Sequence, residues 1–88
     1  MACDPLNYSD VDSSKWECAK DVVRREYGIQ IESDSGEATE RGFTLKWSYD
    51  STAQALQIHC TKRPFFVSCG MVNGRIEEAA DKCGIGAA

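Results

Sequence analysis

Apolar residues recur along this chain with two different periods, and the switches between them outline the elements. Trp16, Ala19, Val22, Val23 and Tyr27 fall on one face of a helix that begins at Ser13 and that Gly28 ends. Ser14 and Glu17 stand in capping-box spacing at its start. On the opposite face Asp21 precedes Arg24 and Arg25 by three and four residues, the spacing of solvated ion pairs. After Gly28 the period drops to two. Ile29 and Ile31 alternate with Gln30 and Glu32, which predicts a short strand. Residues 33–42 contain no large apolar side chain and are expected to form a long polar loop.

The strongest alternation follows. Phe43, Leu45, Trp47 and Tyr49 interleave with Thr44, Lys46 and Ser48, and Leu56, Ile58 and Cys60 interleave with Gln57, His59 and Thr61 before Pro64 closes the second run. A tight turn over 50–53 keeps both apolar sets on one side of a hairpin, pairing Trp47 with Leu56, Leu45 with Ile58 and Phe43 with Cys60. Cys69, Val72, Ile76, Ala79 or Ala80, and Cys83 then return to helical spacing, with Gly84 as the stop. Gly70 and Gly74 leave two possible starts for this helix, Ser68 or just after Asn73.

The expected fold is therefore α+β, a two-layer αβββα arrangement with a three-stranded antiparallel meander and both helices on its apolar face. Residues 1–12 lack periodicity and are expected to be a flexible N-terminal arm unless they dock. Residues 13–84 make one domain, and 85–88 are a short tail. The length of 88 residues suits one small core and no second domain.

Charge and cysteine content narrow the chemistry. Ten Lys+Arg against 14 Asp+Glu give a net charge of −4 of mixed sign, which argues against a nucleic-acid groove built on a basic stripe. The apolar runs are far shorter than the ~20 residues of a membrane span. Asp-rich residues 1–12 are the opposite of a basic leader, so the expected location is the cytoplasm, and the sequon Asn7-Tyr8-Ser9 reads as chance. In that compartment the five Cys, an odd number without closely spaced pairs, are expected to be reduced.

No cofactor motif and no metal-ligand spacing occur, and zinc held by Cys60, Cys69 and Cys83 resembles no structural module. Cys69 is a weak candidate nucleophile, since a thiol beside Ser68 at a helix N-terminus favours the thiolate. His59 and Cys60 are adjacent on a strand and point to opposite faces, which separates them as a dyad. The candidates for partner binding are Lys46, Gln57 and His59 on the polar sheet face, and the connector residues Lys62, Arg63, Phe65 and Phe66, where cations adjoin aromatics. These residues suggest a small non-enzymatic binding or regulatory module with a protein partner. Two other readings stand beside it: a thiol-dependent enzyme or redox sensor centred on Cys69, and a homodimer that pairs sheet edges and binds a small ligand.

Overall fold

A computed structural model describes residues 3–86. The element order is β1 (Leu6–Tyr8), α1 (Ser13–Tyr27), β2 (Ser35–Glu40), β3 (Phe43–Asp50), β4 (Ala55–Lys62) and α2 (Cys69–Lys82). The strands form one antiparallel sheet in the order β1-β4-β3-β2. The α+β class holds, but the sheet has four strands, and two of them lie where the alternation pattern is silent.

The first correction concerns the arm. Within it, β1 pairs Leu6 with Ile58 and Tyr8 with Leu56, which covers the edge of β4. Cys3, Tyr8 and Val11 are all buried, so the stretch from residue 3 onward belongs to the core; residues 1 and 2 lie outside the described part. Three strand residues are too few for a period of two to show in the sequence.

The second correction concerns the first predicted strand. Residues 29–31 carry no strand pairing, although Ile29 is buried and Ile31 half-buried against the core. The strand lies instead over 35–40, inside the predicted loop. As the outer strand of the sheet, β2 leaves all but Ala38 exposed and shows no apolar alternation, because no helix packs over an edge made of Ser, Gly, Glu and Thr. Its register against β3 runs from Ser35↔Ser48 to Glu40↔Phe43, and the connecting Arg41 and Gly42 both have positive φ, 52° and 86°, as a two-residue hairpin turn requires.

The β3–β4 hairpin has the expected parity but is shifted by two residues. Trp47 pairs with Ile58, Leu45 with Cys60 and Tyr49 with Leu56, because the loop occupies 51–54. The Asp50 carboxylate accepts from the backbone N–H groups of Thr52 (2.9 Å) and Ala53 (3.2 Å), and Gln54 takes a φ of 53°; together these close the loop one residue later than predicted. A shift of two leaves the side chains from Leu45 to Asp50 on their expected faces, and an irregularity between Thr44 and Leu45 sets Thr44 opposite Lys62.

Helix ends follow local chemistry. The N-cap of α1 is Asp12, whose carboxylate accepts from Lys15 N at 2.9 Å, in place of the predicted Ser14–Glu17 box. Of the two possible starts for α2, the earlier is the one used: Ser68 caps it through Met71 N. At the other end Gly84 (φ 72°) donates to Asp81 O and Ile85 donates to Ala80 O, both at 3.0 Å, a Schellman closure. Ile85 is 4% exposed, so the start of the predicted tail belongs to the core; residues 87 and 88 lie outside the described part.

Both helices cover the same face of the sheet. Trp16 of α1 stacks on Tyr49 of β3, with ring centroids 5.1 Å apart. Val72 and Ile76 of α2 pack with Cys60 of β4 and with Cys3. The cysteines supply the third correction: Cys3–Cys69 and Cys18–Cys83 are disulfides, and Cys60 alone is a free, buried thiol. The first ties the arm to the start of α2, and the second ties α1 to the end of α2.

Tyr8 supplies a pH test of the packing. Its hydroxyl is buried with no hydrogen-bond partner among the described residues. Burial first, and the Glu77 carboxylate second, push its ionisation from 10.0 up to about 12. The folded state therefore holds the proton that the unfolded chain releases near pH 10, so stability present below pH 10 is lost as pH rises toward 12. Tyr8→Phe is expected to stabilise the protein by about 1 kcal/mol near neutrality, by removing an unsatisfied buried hydroxyl, and to remove part of the alkaline loss. Urea midpoints of both proteins at about pH 7 and pH 11 check this; an advantage for Phe that does not grow with pH would contradict it.

Candidate functional site

An apolar groove lies between the end of α1, α2 and the start of β3. Tyr27 and Ile29, at and just beyond the end of α1, line one side; Met71, Val72, Arg75 and Ile76 of α2 line the other; Phe43 and Leu45 of β3 lie beneath. The hairpin tip contributes Glu40 and Arg41, and the loop before α2 contributes Val67. The groove has a volume of about 280 Å³. The Tyr27 hydroxyl donates to the Arg75 carbonyl at 3.4 Å, a link from α1 to the far wall. Burial is the main reason the Tyr27 hydroxyl ionises above its usual range, so it stays protonated at neutral pH.

At this wall α1 stops at Gly28, whose left-handed φ of 70° ends the helix and sends Ile29 into the groove lining. Its charged residues sit at the rim. Arg41 and Arg75 are exposed and enter none of the ion pairs found among the described residues, which join Lys20 to Glu17, Arg24 and Arg25 to Asp21, and Lys82 to Glu26. Arg41 also occupies a left-handed turn position that suits Gly or Asn, at a cost of about 1 kcal/mol.

Beside the groove stands an exposed aromatic pair. Phe65 is 95% and Phe66 75% exposed, with their rings edge to face at a centroid distance of 5.6 Å. Met71, on the groove wall, is 60% exposed. The loop is held from beneath by Arg63, which donates through Nε to Cys69 Sγ at 3.2 Å and through Nη1 to the Val67 carbonyl. Pro64 packs beneath the hairpin tip, where a Cβ on Gly42 would meet its ring at 3.3 Å. The guanidinium of Arg63 is thus committed to the loop's own structure, whereas Lys62 is exposed at the end of β4.

The remaining candidate residues lie on the other face of the sheet. Lys46 stands between Glu37 of β2 and His59 of β4, a row of polar side chains across three strands. His59 Nε2 is 2.6 Å from the Cys3 carbonyl and donates to it, so this ring helps hold the arm in place. Gln57 donates to Asn7 Oδ1 at 2.9 Å across β4 and β1. Even this face is partly closed, since Thr44 is 6% exposed with its hydroxyl 2.9 Å from that of Thr39. The predicted site residues therefore fall into two patches: Lys46, Gln57 and His59 on the sheet face, and Phe65 and Phe66 by the groove.

Cys69, the candidate nucleophile, is bonded to Cys3 and has no free thiol. The free Cys60 is 0% exposed, and burial raises its thiol above the usual range, with the Lys62 carbonyl accepting from Sγ at 3.1 Å. Among the described residues no three His, Cys, Asp or Glu side chains gather as a metal site. No described helix is long and apolar enough to cross a membrane.

Comparison with protein-family models, with curated proteins and with solved structures found no match. The groove residues had been legible only as core positions. Tyr27, Phe43, Leu45, Val72 and Ile76 sit on the apolar faces of their elements, and nothing in their spacing says that no third layer covers them. The one local signal of the site is an Arg in place of Asn before Gly42, recognisable only once 35–40 is known to be a strand.

Proposed function

We propose that this protein is a small binding module that takes an apolar group of its partner into the groove between α2 and the β2–β3 hairpin tip. The observation that carries this reading is an apolar recess with an exposed methionine on its wall and an exposed aromatic pair in the loop that leads into it. Phe65, Phe66 and Met71 are the large hydrophobic side chains left exposed; Met71 lines a strongly apolar recess, and so does Val67, the residue that follows the Phe65-Phe66 pair. Leaving such side chains in water gives no folding stability, and contiguous apolar surface of this kind marks interaction sites.

The alternative readings draw less support. A thiol mechanism at Cys69 first needs reduction of its disulfide with Cys3. Dimerisation by edge pairing would use β1, only three residues long, or β2, which carries Glu37 and Glu40, side chains that discourage strand addition. Disulfides persist in oxidising surroundings, so we place the module's work there rather than in the cytoplasm.

The test is a titration of isotope-labelled protein with Nile red, an uncharged apolar dye, followed by amide shifts. Shifts are expected to cluster at Phe43, Leu45, Met71, Val72 and Ile76. The double variant Phe65→Ser/Phe66→Ser is expected to keep its melting temperature and to bind the dye several-fold more weakly. Shifts centred instead on Lys46, Gln57 and His59 would transfer the function to the open sheet face and overturn the groove reading.

A further inference from the structure

We infer that the groove takes a free aliphatic chain ending in a carboxylate, with the apolar chain along Phe43, Leu45, Val72 and Ile76 and the anionic head at Arg41 and Arg75. The inference rests on the groove reading above and adds to it the chemical class of the ligand.

Size is the first argument. A volume of about 280 Å³ lies at the small end of ligand pockets, whose range begins near about 300 Å³. At about 30 Å³ per water-sized group it holds a chain of about nine carbons. A protein partner's anchor helix would need a longer trough than this.

Charge is the second argument. Most of the lining is hydrocarbon or aromatic, and the charged groups at its edge are two guanidiniums and one carboxylate, Glu40. Among the described residues Lys20, Arg24, Arg25 and Lys82 enter ion pairs, with Asp21 shared by the two arginines, and Arg41 and Arg75 are the unpaired cations that line the groove. An unpaired guanidinium beside apolar surface suits a carboxylate, which it can grip through two parallel hydrogen bonds. A cationic head would meet repulsion from both.

Strain is the third argument. Arg41 holds φ 52° at a hairpin position that glycine or asparagine would occupy without cost. Asp10 and Gln54 take the same left-handed conformation in other turns, and of the three Arg41 alone lines the groove. Arg75 approaches from the opposite wall, on the α2 turn whose carbonyl receives the Tyr27 hydroxyl. The two guanidiniums thus come from separate elements on either side of the groove mouth.

The experiment compares three amphiphiles with one chain length, decanoate, decyl maltoside and decyltrimethylammonium, below their micelle concentrations, on the intact oxidised protein. Binding is followed by calorimetry and by amide shifts. Decanoate is expected to bind at least tenfold more tightly than the ammonium, with shifts at Phe43, Leu45 and Val72, and to weaken as salt is raised. Arg41→Gly relieves the turn and so keeps the fold; with Arg75→Gln it is expected to weaken decanoate several-fold while leaving decyl maltoside unchanged. Equal binding of all three heads would overturn the carboxylate assignment and leave the groove reading intact. Binding of an amphipathic peptide but of no decyl compound would overturn the ligand class in favour of a protein partner. Failure of all three amphiphiles, of such a peptide and of Nile red would overturn both readings.

Discussion

Replacing Cys18 and Cys83 with serine is expected to lower the stability of the folded protein by about 4 kcal/mol, the chain-entropy value for a cross-link closing a loop of this length. The two cysteines are 65 residues apart in sequence, so their bond removes a large share of the unfolded chain's freedom. A domain of this size has about 5–15 kcal/mol in total, so the loss brings it close to unfolding at body temperature. Cys3 and Cys69, 66 residues apart, should contribute similarly on entropy alone, but their removal has a different local signature. The bond clamps an arm whose strand has three paired residues, so Cys3→Ser should first raise hydrogen exchange at Leu6, Asn7 and Tyr8. Urea titration with and without a reductant that cleaves both bonds gives the direct measure. A midpoint unmoved by reductant would contradict the disulfide framework, and with it the placement in an oxidising compartment.

Truncating Trp16 to alanine is expected to cost about 3–5 kcal/mol, the usual range for deleting a buried aromatic. Trp16 is 3% exposed and joins three parts of the fold. Its ring stacks on Tyr49 at 5.1 Å, its Nε1 donates to Asp34 Oδ1 at 3.0 Å, and Lys20 lies over it at 5.5 Å. The Tyr49 hydroxyl in turn donates to the Val11 carbonyl at 2.7 Å, so the stack also fixes the turn that feeds α1. Trp16→Phe keeps the stack and loses the bond to Asp34, an exposed acceptor that water can serve, so its cost should stay near 1 kcal/mol for that bond plus the lost ring area. Denaturant midpoints for the two variants separate the contributions. A cost below 1 kcal/mol for the alanine variant would mean that α1 is not docked through this ring.

The two predictions bear on function through one feature. The groove is walled by the end of α1 and by α2, and the Cys18–Cys83 bond, the Glu26–Lys82 ion pair and the Tyr27–Arg75 hydrogen bond hold these two helices together. Loosening either the staple or the Trp16 anchor weakens the hold on α1, whose last residue is part of the groove wall. Variants at Arg41, Phe65 or Phe66 leave this frame alone, which makes them the cleaner probes of binding.

The sequence by itself determined the elements whose burial is one-sided. In α1, β3, β4 and α2 the apolar residues that recur with the element's period face a core, so a local period of 3.6 or 2 reveals both the element and its face. Gly28, Ser68 and Gly84 mark their ends because capping is chemistry within a few residues. The two-residue shift of the hairpin escaped notice because parity, which the pattern encodes, is unchanged by it. Only the tertiary structure decided the rest. The short β1 and the polar β2 are strands because a neighbour offers free backbone groups, and that information lies in β4 and β3 rather than in their own residues. The disulfides join residues 66 and 65 apart, which no spacing rule can pair. The groove is likewise a property of how two helices sit over a sheet. Its residues carry the same apolar signature as the core, and whether a further layer covers them is a matter of three-dimensional packing.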